Sequence, residues 1–279
     1  MDPYGYNQQP ARRGGGMKLL PVLLFAGYLA YYYFSMEKTT VPVTGRTHRV
    51  DMSREQETAL GFQSYQQVLQ QEHVAAGPAA SMLKEIGRKL VAVSDDKNYQ
   101  WEFNLLDSPE VNAFALPGGK VAYYSGLLKI TNTESQVAAV LGHEIGHVVA
   151  RHGAERMAQQ KLVQIGTMAA GMAVGDMDSG TQRAVMGALG LGAQFGVLLP
   201  FSRRDENEAD HIGLVLAARA CFDPREAPKL WEKMSESHGG GARPAEFMST
   251  HPADATRIQK LNELMPEALA EREKYCGGR

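Results

Sequence analysis

The chain has 279 residues, of which 44% are hydrophobic and 22% are charged, and its formal net charge is -2 at pH 7. This length and composition are those of one ordinary globular domain with appendages, large enough to bury a sizeable core. A near-neutral charge without a long basic run excludes a protein that binds nucleic acid through a basic surface.

The N-terminal region carries a polar tail and an apolar segment. Residues 1–16 are rich in Gly, Pro and Gln, which predicts a disordered tail. The uncharged run between Lys18 and Glu37 predicts a transmembrane anchor over residues 17–36, because about 20 apolar residues span a bilayer. A cleaved signal peptide is the competing interpretation, although no small-x-small cleavage site follows the run. Basic residues flank both ends, so the positive-inside rule gives no orientation.

The segment after the anchor is predicted to contain a linker, two helices and a β-rich section. Pro42 and Gly45 interrupt any helix within residues 37–50, which therefore predict an extended linker. Capping and apolar periodicity then predict helices over residues 53–71 and 79–93. Alternating patterns predict strands at 101–106, 111–115 and 120–125, with a turn at Pro117-Gly118-Gly119.

The longest predicted helix contains His143 and His147, on which the functional prediction below depends. Thr133 and Gln136 form its capping-box start, and helical propensity continues without interruption to Leu162. Residues 162–200 are rich in Gly, Ala and Met. They favour a buried or membrane-surface helical hairpin over a second transmembrane helix, because each half is too short to span comfortably. Three further helices are predicted near 204–220, 224–238 and 252–269.

Two histidines one helical turn apart provide the central functional signal. In His143-Glu144-Ile145-Gly146-His147, both imidazoles project from one helix face and can reach the same metal ion. The Glu144 carboxylate lies near the open coordination position, where it is suited to take a proton from water. The motif therefore predicts a zinc site with a general base. The alternative is a structural helix with two ordinary histidines.

A catalytic zinc site needs a third protein ligand and an open position for water. Glu206 and Asp210 are four residues apart and share a face of a predicted helix. Glu206 is predicted to ligate the metal, and Asp210 to accept a hydrogen bond from a ligand histidine. Glu208 is expected to point elsewhere and to be solvated. An exposed charged face without a metal is the alternative.

The two cysteines are Cys221 and Cys276. They form no CxxC pair and are distant in sequence from the histidine motif, which argues against a cysteine-based zinc site. Either they form one disulfide, as in an oxidising compartment, or they are two unrelated thiols.

The order of these motifs resembles that of the membrane-associated gluzincin metallopeptidases, the family of the CAAX prenyl protease, HtpX, BepA and the mitochondrial overlapping-activity protease. Residues 112–119 resemble the NAxAxPGG stretch of that family, and residues 249–252 with Arg257 resemble its THPxxxxRI element. The resemblance extends over about residues 51–268 and is closest to single-domain bacterial members of envelope quality control. The family pattern HExxH plus ExxxD maps onto His143, Glu144, His147, Glu206 and Asp210.

The resemblance implies a fold and a cofactor. The expected fold is α+β: a mostly helical zincin-like metallopeptidase domain with a small antiparallel sheet, preceded by one N-terminal transmembrane helix. The domain would extend over residues 51–270, followed by a C-terminal tail at 271–279. One Zn2+ ion is expected per chain.

The resemblance also implies roles for residues outside the metal motif. An edge strand beside the active site would bind extended substrates through its main chain, and an ordinary edge strand is the alternative. His251, with Arg257 behind it, would stabilise an oxyanion, ligate zinc in a resting inhibited state, or merely cap a helix. Arg257 could equally be a structural ion-pair partner. The predicted substrate-binding strand comprises Asn112, Ala113, Phe114 and Ala115.

Together these features predict a zinc endopeptidase that cleaves unfolded or damaged envelope proteins. It is expected in the bacterial inner membrane as a single-pass protein with a periplasmic catalytic domain, and its oligomeric state is left open. A metal-stabilised chaperone or scaffold at the membrane is the main alternative. Glu144 argues against it, because a purely structural zinc site needs no general base. A prenyl-type processing enzyme would need several spans, which the sequence lacks.

Overall fold

The computed structural model describes residues 19–96, 99–174, 178–181, 183, 187, 202–236, 246–251 and 255–277. These residues are mostly helical with two small sheets, so the predicted mostly helical α+β class is confirmed. The helices are α1 (Leu19–Ser35), α2 (Arg54–Gln71), α3 (Pro78–Ala92), α4 (Ser125–Leu128), α5 (Glu134–Val149), α6 (His152–Ala173), α7 (Arg203–Arg219), α8 (Glu226–Glu236), α9 (Glu246–Thr250) and α10 (Ala255–Cys276). The strands are β1 (Glu37–Thr40), β2 (Thr47–Val50), β3 (Glu102–Leu106), β4 (Ala113–Leu116) and β5 (Lys120–Tyr124).

Residues 19–35 of the predicted anchor form helix α1. In the part of the chain that the structure describes, no helix is long and apolar enough to cross a membrane. The transmembrane helix predicted over residues 17–36 is therefore not found. The predicted tail at 1–16 and most of 175–200 lie outside the described residues.

The chain divides into two contact units. One contains residues 1–35 and 159–198, with α1 and the C-terminal part of α6 as its described helices. The other contains residues 36–158 and 199–279, with both sheets and the remaining helices.

Helices α5 and α7 pack backbone against backbone at the centre of the larger unit. A Cβ atom at Gly142 would lie 2.8 Å from the carbonyl oxygen of Gly213, and one at Gly146 would lie 2.7 Å from that of Ala209. Only glycine permits so close an approach, so these positions set the spacing of the two helices. Buried side chains around the pair form the main core, including Leu141, Ile145, Ile212, Leu216 and Trp231.

The helix predicted to run from Thr133 to Leu162 is interrupted. Arg151 has φ of 54°, in the left-handed region, and separates α5 from α6. A non-glycine residue in this region is costly, and tertiary contacts offset the cost. The Arg151 guanidinium donates to Glu57 and, at 2.7 Å, to the carbonyl oxygen of Met52. The prediction was wrong because local propensity carries no information about these contacts.

The three-stranded sheet has the order β3-β5-β4 and is mixed, not antiparallel as predicted. β4 and β5 form an antiparallel pair around a turn in which Gly118 and Gly119 have positive φ. β3 lies on the other side of β5 and runs parallel to it. Alternation predicted the strands, but it does not specify which strands pair or in which direction. β4 is left at the edge of the sheet.

Residues 37–50 form an antiparallel β1–β2 hairpin where an extended linker was predicted. Val41 and Val50 are 2% and 0% exposed, so the hairpin is part of the folded unit. Val43 and Gly45 have positive φ in its turn. Pro42 and Gly45 excluded a helix, as predicted, but they mark a turn between paired strands.

Of the C-terminal helices, α10 packs against α7, and α8 packs against α5 and α10. Predicted helices near 204–220, 224–238 and 252–269 correspond to α7, α8 and α10, whose described bounds are given above. A disulfide joins Cys221, just after α7, to Cys276, at the end of α10. Of the two alternatives open for the cysteines, the structure has the disulfide.

Candidate metal centre

Four side chains from three parts of the larger unit converge at the α5–α7 contact. His143 and His147 come from α5, Glu206 from α7, and His251 from the residue after α9. Each residue is at most 5% exposed. One potential ligand atom from each lies within 4.8 Å of the others, which makes this group a candidate metal site.

The distances between the four potential ligand atoms fit an ion with tetrahedral coordination. The Nε2 atoms of His143 and His147 are 3.1 Å apart, and Nδ1 of His251 is 3.2 Å from Nε2 of His143. Glu206 Oε1 is 3.1 Å from Nδ1 of His251 and 3.4 Å from Nε2 of His147. Ligands at about 2.0–2.2 Å around a tetrahedral zinc ion are separated by roughly 3.3–3.5 Å. Three imidazoles and one carboxylate are also donor types that zinc binds.

Asp210 and Arg257 lie directly behind the candidate metal ligands. Asp210 Oδ1 accepts a hydrogen bond from Nδ1 of His143 at 2.8 Å, which leaves Nε2 facing the ligand group. Arg257 donates to both Asp210 oxygens at 2.8 Å, and its Nη1 lies 3.1 Å from Glu206. The guanidinium also stacks 3.8 Å from the Trp231 ring centroid. Burial opposes ionisation of Asp210, but Arg257 and His143 outweigh it and lower its pKa to about 2.

Glu144 points to the same place as the ligand atoms. Its carboxylate is 2% exposed, and Oε1 has no hydrogen-bond partner among the described residues. Nε2 of His251 lies 3.6 Å from Oε1, and strand β4, which contains Ala115, packs against the helix that carries Glu144. Burial raises the pKa of Glu144 above its usual range. The group is thus placed between His251 and the edge strand.

The predicted substrate strand borders this group. Ala113, Phe114 and Ala115 belong to edge strand β4, and Asn112 precedes it. The Ala113 side chain is buried, whereas the other three are partly exposed. The N–H of Phe247 in α9 donates to the carbonyl oxygen of Val111 at 3.2 Å, so α9 lies beside the start of this strand.

A second set of buried polar groups, which the sequence did not predict, lies behind His147. Nδ1 of His147 is 2.9 Å from Nδ1 of His152, and Nε2 of His152 is 3.0 Å from Glu208. Thr44 and Arg46 of the β1–β2 turn each donate to Glu208 at 2.6 Å.

The expectation of a solvated Glu208 was wrong, because its side chain is 6% exposed and ion-paired. Burial alone would raise the pKa of Glu208, but hydrogen bonds from His152, Thr44 and Arg46 lower it to about 2. The sequence could have indicated His152, because it is a third histidine only five residues after the HExxH motif. Nothing in the sequence indicated that Thr44 and Arg46 of the hairpin would contact Glu208.

Glu155 extends this polar cluster away from the candidate ligands. It forms buried ion pairs with Arg46 and His48 of the hairpin, and a 2.8 Å ion pair with the more exposed Arg204. Burial opposes ionisation, but hydrogen bonds from His48 and Arg46 hold the pKa of Glu155 well below its ordinary value.

Comparison with known proteins places the site in a family. Residues 79–265 match the model of peptidase family M48. The chain is 35% identical over 269 residues to the mitochondrial metalloendopeptidase OMA1 of Schizosaccharomyces pombe, which covers 95% of this chain and 77% of the relative. It is 30% identical over 261 residues to the human mitochondrial metalloendopeptidase OMA1, and the aligned region covers 88% of this chain and 49% of the relative. It is 28% identical over 251 residues to the beta-barrel assembly-enhancing protease of Escherichia coli K12, and the aligned region covers 87% of this chain and 51% of the relative.

The Glu155 cluster predicts how stability depends on pH. The folded pKa of Glu155 is below its ordinary value of 4.5, so its stabilisation is present at neutral pH and is lost as pH falls below about 4.5. Glu155→Gln should destabilise the metal-free chain at pH 7 by on the order of 1–2 kcal/mol more than at pH 3. Denaturant unfolding at both pH values measures this difference. The exposed Glu110→Gln is the control, and an equal effect of Glu155→Gln at both pH values would contradict the assignment.

Proposed function

Because the chain belongs to peptidase family M48 and is a metalloendopeptidase, we propose that it hydrolyses peptide bonds with one zinc ion held by His143, His147 and Glu206. The convergence of these three side chains with the unpartnered Glu144 oxygen carries the proposal. Of the two function classes predicted from the sequence, the family comparisons favour the peptidase over the scaffold.

Glu144 is proposed as the general base and acid of the reaction. A zinc ion bound here would supply Lewis acidity, which lowers the pKa of water toward about 7 and polarises a carbonyl group. Glu144 takes a proton from the attacking water and later passes it to the leaving amine. Burial raises the pKa of Glu144 above its usual value, which makes its carboxylate a better proton acceptor for the first step.

Asp210 and Arg257 are proposed as positioning residues. Asp210 fixes the ring of His143 through Nδ1, and Arg257 neutralises the buried charge of Asp210. Arg257 also pairs with Glu206, so one cation supports two carboxylates of α7. These contacts favour a functional role for Arg257 over an isolated ion pair.

The substrate is proposed to bind as an added strand along β4, through main-chain groups of residues 112–115. The packing of β4 against α5 supports this, because α5 carries the proposed general base Glu144. Strand addition recognises the backbone more than the side chains. Extended, unfolded or damaged proteins are therefore the proposed substrates, because their backbone is free to pair.

His251 is proposed to hold a resting, inhibited state. Its Nδ1 lies within 3.2 Å of ligand atoms of both His143 and Glu206, and its Nε2 faces Glu144. Four protein ligands close a zinc site, whereas a catalytic site keeps one position open. Movement of His251 would therefore have to precede catalysis, after which it could stabilise the oxyanion.

The N-terminal segment 17–36 is proposed to anchor the chain in the bacterial inner membrane, with the larger unit in the periplasm. Four large apolar side chains of α1 support a membrane contact because they are 65–70% exposed: Leu20, Leu23, Leu24 and Phe34. The disulfide supports an oxidising compartment, in which such bonds persist.

Removing the proposed base should abolish cleavage without removing the metal. Glu144→Gln is expected to lower kcat for casein by about 10²–10⁴-fold, because it removes general acid-base catalysis. Its zinc affinity should be unchanged. The control Glu110→Gln alters an exposed carboxylate and should cleave like the parent chain. Undiminished cleavage by zinc-loaded Glu144→Gln would refute the role of Glu144.

Removing His251 separates the two roles open to it. His251→Ala should weaken zinc binding by about tenfold or more and should raise the rate of cleavage of a short unstructured peptide, because the closed site is opened. Chelator competition and peptide hydrolysis measure the two effects. His211→Ala, at a partly exposed histidine that pairs with Glu267, should change neither. Slower cleavage with unchanged zinc affinity would instead assign His251 to the oxyanion alone.

Charged substitutions in α1 test the anchor. The full chain should sediment with membranes and resist an alkaline carbonate wash, whereas the double variant Leu23→Lys, Leu24→Lys should be released, because lysine is costly in the apolar layer. Phe62→Lys, at another exposed apolar side chain, should remain in the pellet. Trypsin added to spheroplasts should degrade the larger unit. A parent chain found in the soluble fraction would contradict the proposal.

A further inference from the structure

The ring of His147 has a buried support of its own, formed by His152 and Glu208. The two histidine rings meet through their Nδ1 atoms at 2.9 Å, and Nε2 of His152 lies 3.0 Å from the Glu208 carboxylate. Both supporting side chains are at most 7% exposed. We propose that His152 and Glu208 are positioning residues for the metal centre, holding the ring of His147 in its ligating orientation. This inference rests on the proposed role of His147 as a ligand.

The chemistry of the three groups gives a single consistent direction for the hydrogen bonds. Nε2 of His147 faces the other candidate ligand atoms, so the ring proton of His147 is on Nδ1. His147 donates this proton to Nδ1 of His152. His152 must then carry its own proton on Nε2, which it donates to Glu208. The Glu208 carboxylate, at the end of this series of hydrogen bonds, fixes the tautomer of both imidazole rings.

The break between α5 and α6 makes this contact geometrically available. In a continuous helix, a residue five positions after His147 would point about 140° away from it, because successive residues rotate by about 100°. The left-handed Arg151 interrupts the helix immediately before His152. The ring of His152 therefore returns to His147, with 4.9 Å between the ring centroids.

Glu208 is itself held from the other side by the β1–β2 turn. Thr44 Oγ1 donates to Oε1 and Arg46 Nε donates to Oε2, both at 2.6 Å. Both oxygens are therefore fixed, and the carboxylate cannot rotate away from His152. The hairpin at residues 37–50 thus reaches the metal centre through two intermediate side chains.

The same construction occurs behind the other histidine of the motif. His143 donates to Asp210 of α7, and Asp210 is neutralised by Arg257 of α10. His147 reaches a second carboxylate of α7 through His152, and that carboxylate is neutralised by an arginine of the hairpin. Each motif histidine is thus backed by an α7 carboxylate and an arginine from a different element.

The test uses the full chain in detergent, with zinc affinity measured by chelator competition and the Co2+-substituted protein examined by visible absorption. His152→Leu removes the acceptor and should raise the zinc Kd by about 10–100-fold, shift the Co2+ bands and lower kcat while leaving KM unchanged. His152→Asn places an amide oxygen near the position of Nδ1. It should restore zinc affinity to within about threefold of the parent.

Two controls separate positioning from a general loss of stability. Glu208→Gln should weaken zinc binding in the same direction as His152→Leu. Glu155→Gln removes an equally buried carboxylate of the same cluster, which pairs with Arg46 and Arg204, and it should leave the zinc Kd and the Co2+ spectrum unchanged. If His152→Leu does not fold, the comparison of Glu208→Gln with Glu155→Gln decides the question.

The outcomes also distinguish this inference from the proposed metal centre. His147→Ala is titrated alongside, and undiminished zinc binding in that variant would refute the metal centre itself. If His147→Ala loses zinc but folded His152→Leu and Glu208→Gln bind it as tightly as the parent, only the positioning role is overturned. Equal weakening by Glu155→Gln and Glu208→Gln would likewise overturn it, because the effect would then be one of stability.

Discussion

The site depends on the backbone contact between α5 and α7. Gly142 and Gly146 lie against Gly213 and Ala209 at distances that no Cβ atom would tolerate. A wider spacing would move the carboxylates of α7 away from the histidines of α5, and the ligand atoms would no longer fit one ion. Because packed interiors change little without cost, this contact fixes the geometry before any metal binds.

The electrostatics of the buried centre follow from that close approach. Three α7 carboxylates, Glu206, Glu208 and Asp210, are each at most 7% exposed, and burying an unpaired charge is costly. Arg257 neutralises two of them and Arg46 the third. Such pairs contribute little net stability compared with apolar packing, but they orient the rings of His143 and His147. The polar clusters are therefore explained better by the chemistry of the site than by the stability of the fold.

Helix α9 lies between the candidate metal centre and the edge of the three-stranded sheet. His251 follows this short helix and reaches the ligand group, while Phe247 in the same helix donates to Val111 beside the edge strand. Phe247 also stacks on Trp231, whose ring contacts Arg257 and His143 as well. One short helix therefore lies next to both a residue of the candidate metal centre and the segment that leads into the edge strand.

The sequence alone determined the features that are local in the chain. Helical spacing placed His143, Glu144 and His147 on one helix, the four-residue spacing grouped Glu206 with Asp210, and the ordered motifs identified the family. Tertiary structure decided what is non-local: the hairpin at 37–50, the mixed sheet, the disulfide, and the burial of Glu208 against His152. The break at Arg151 shows the reason most directly. Helix propensity is a sum over neighbouring residues, whereas the contacts that hold Arg151 in a left-handed conformation come from Met52 and Glu57, about a hundred positions earlier.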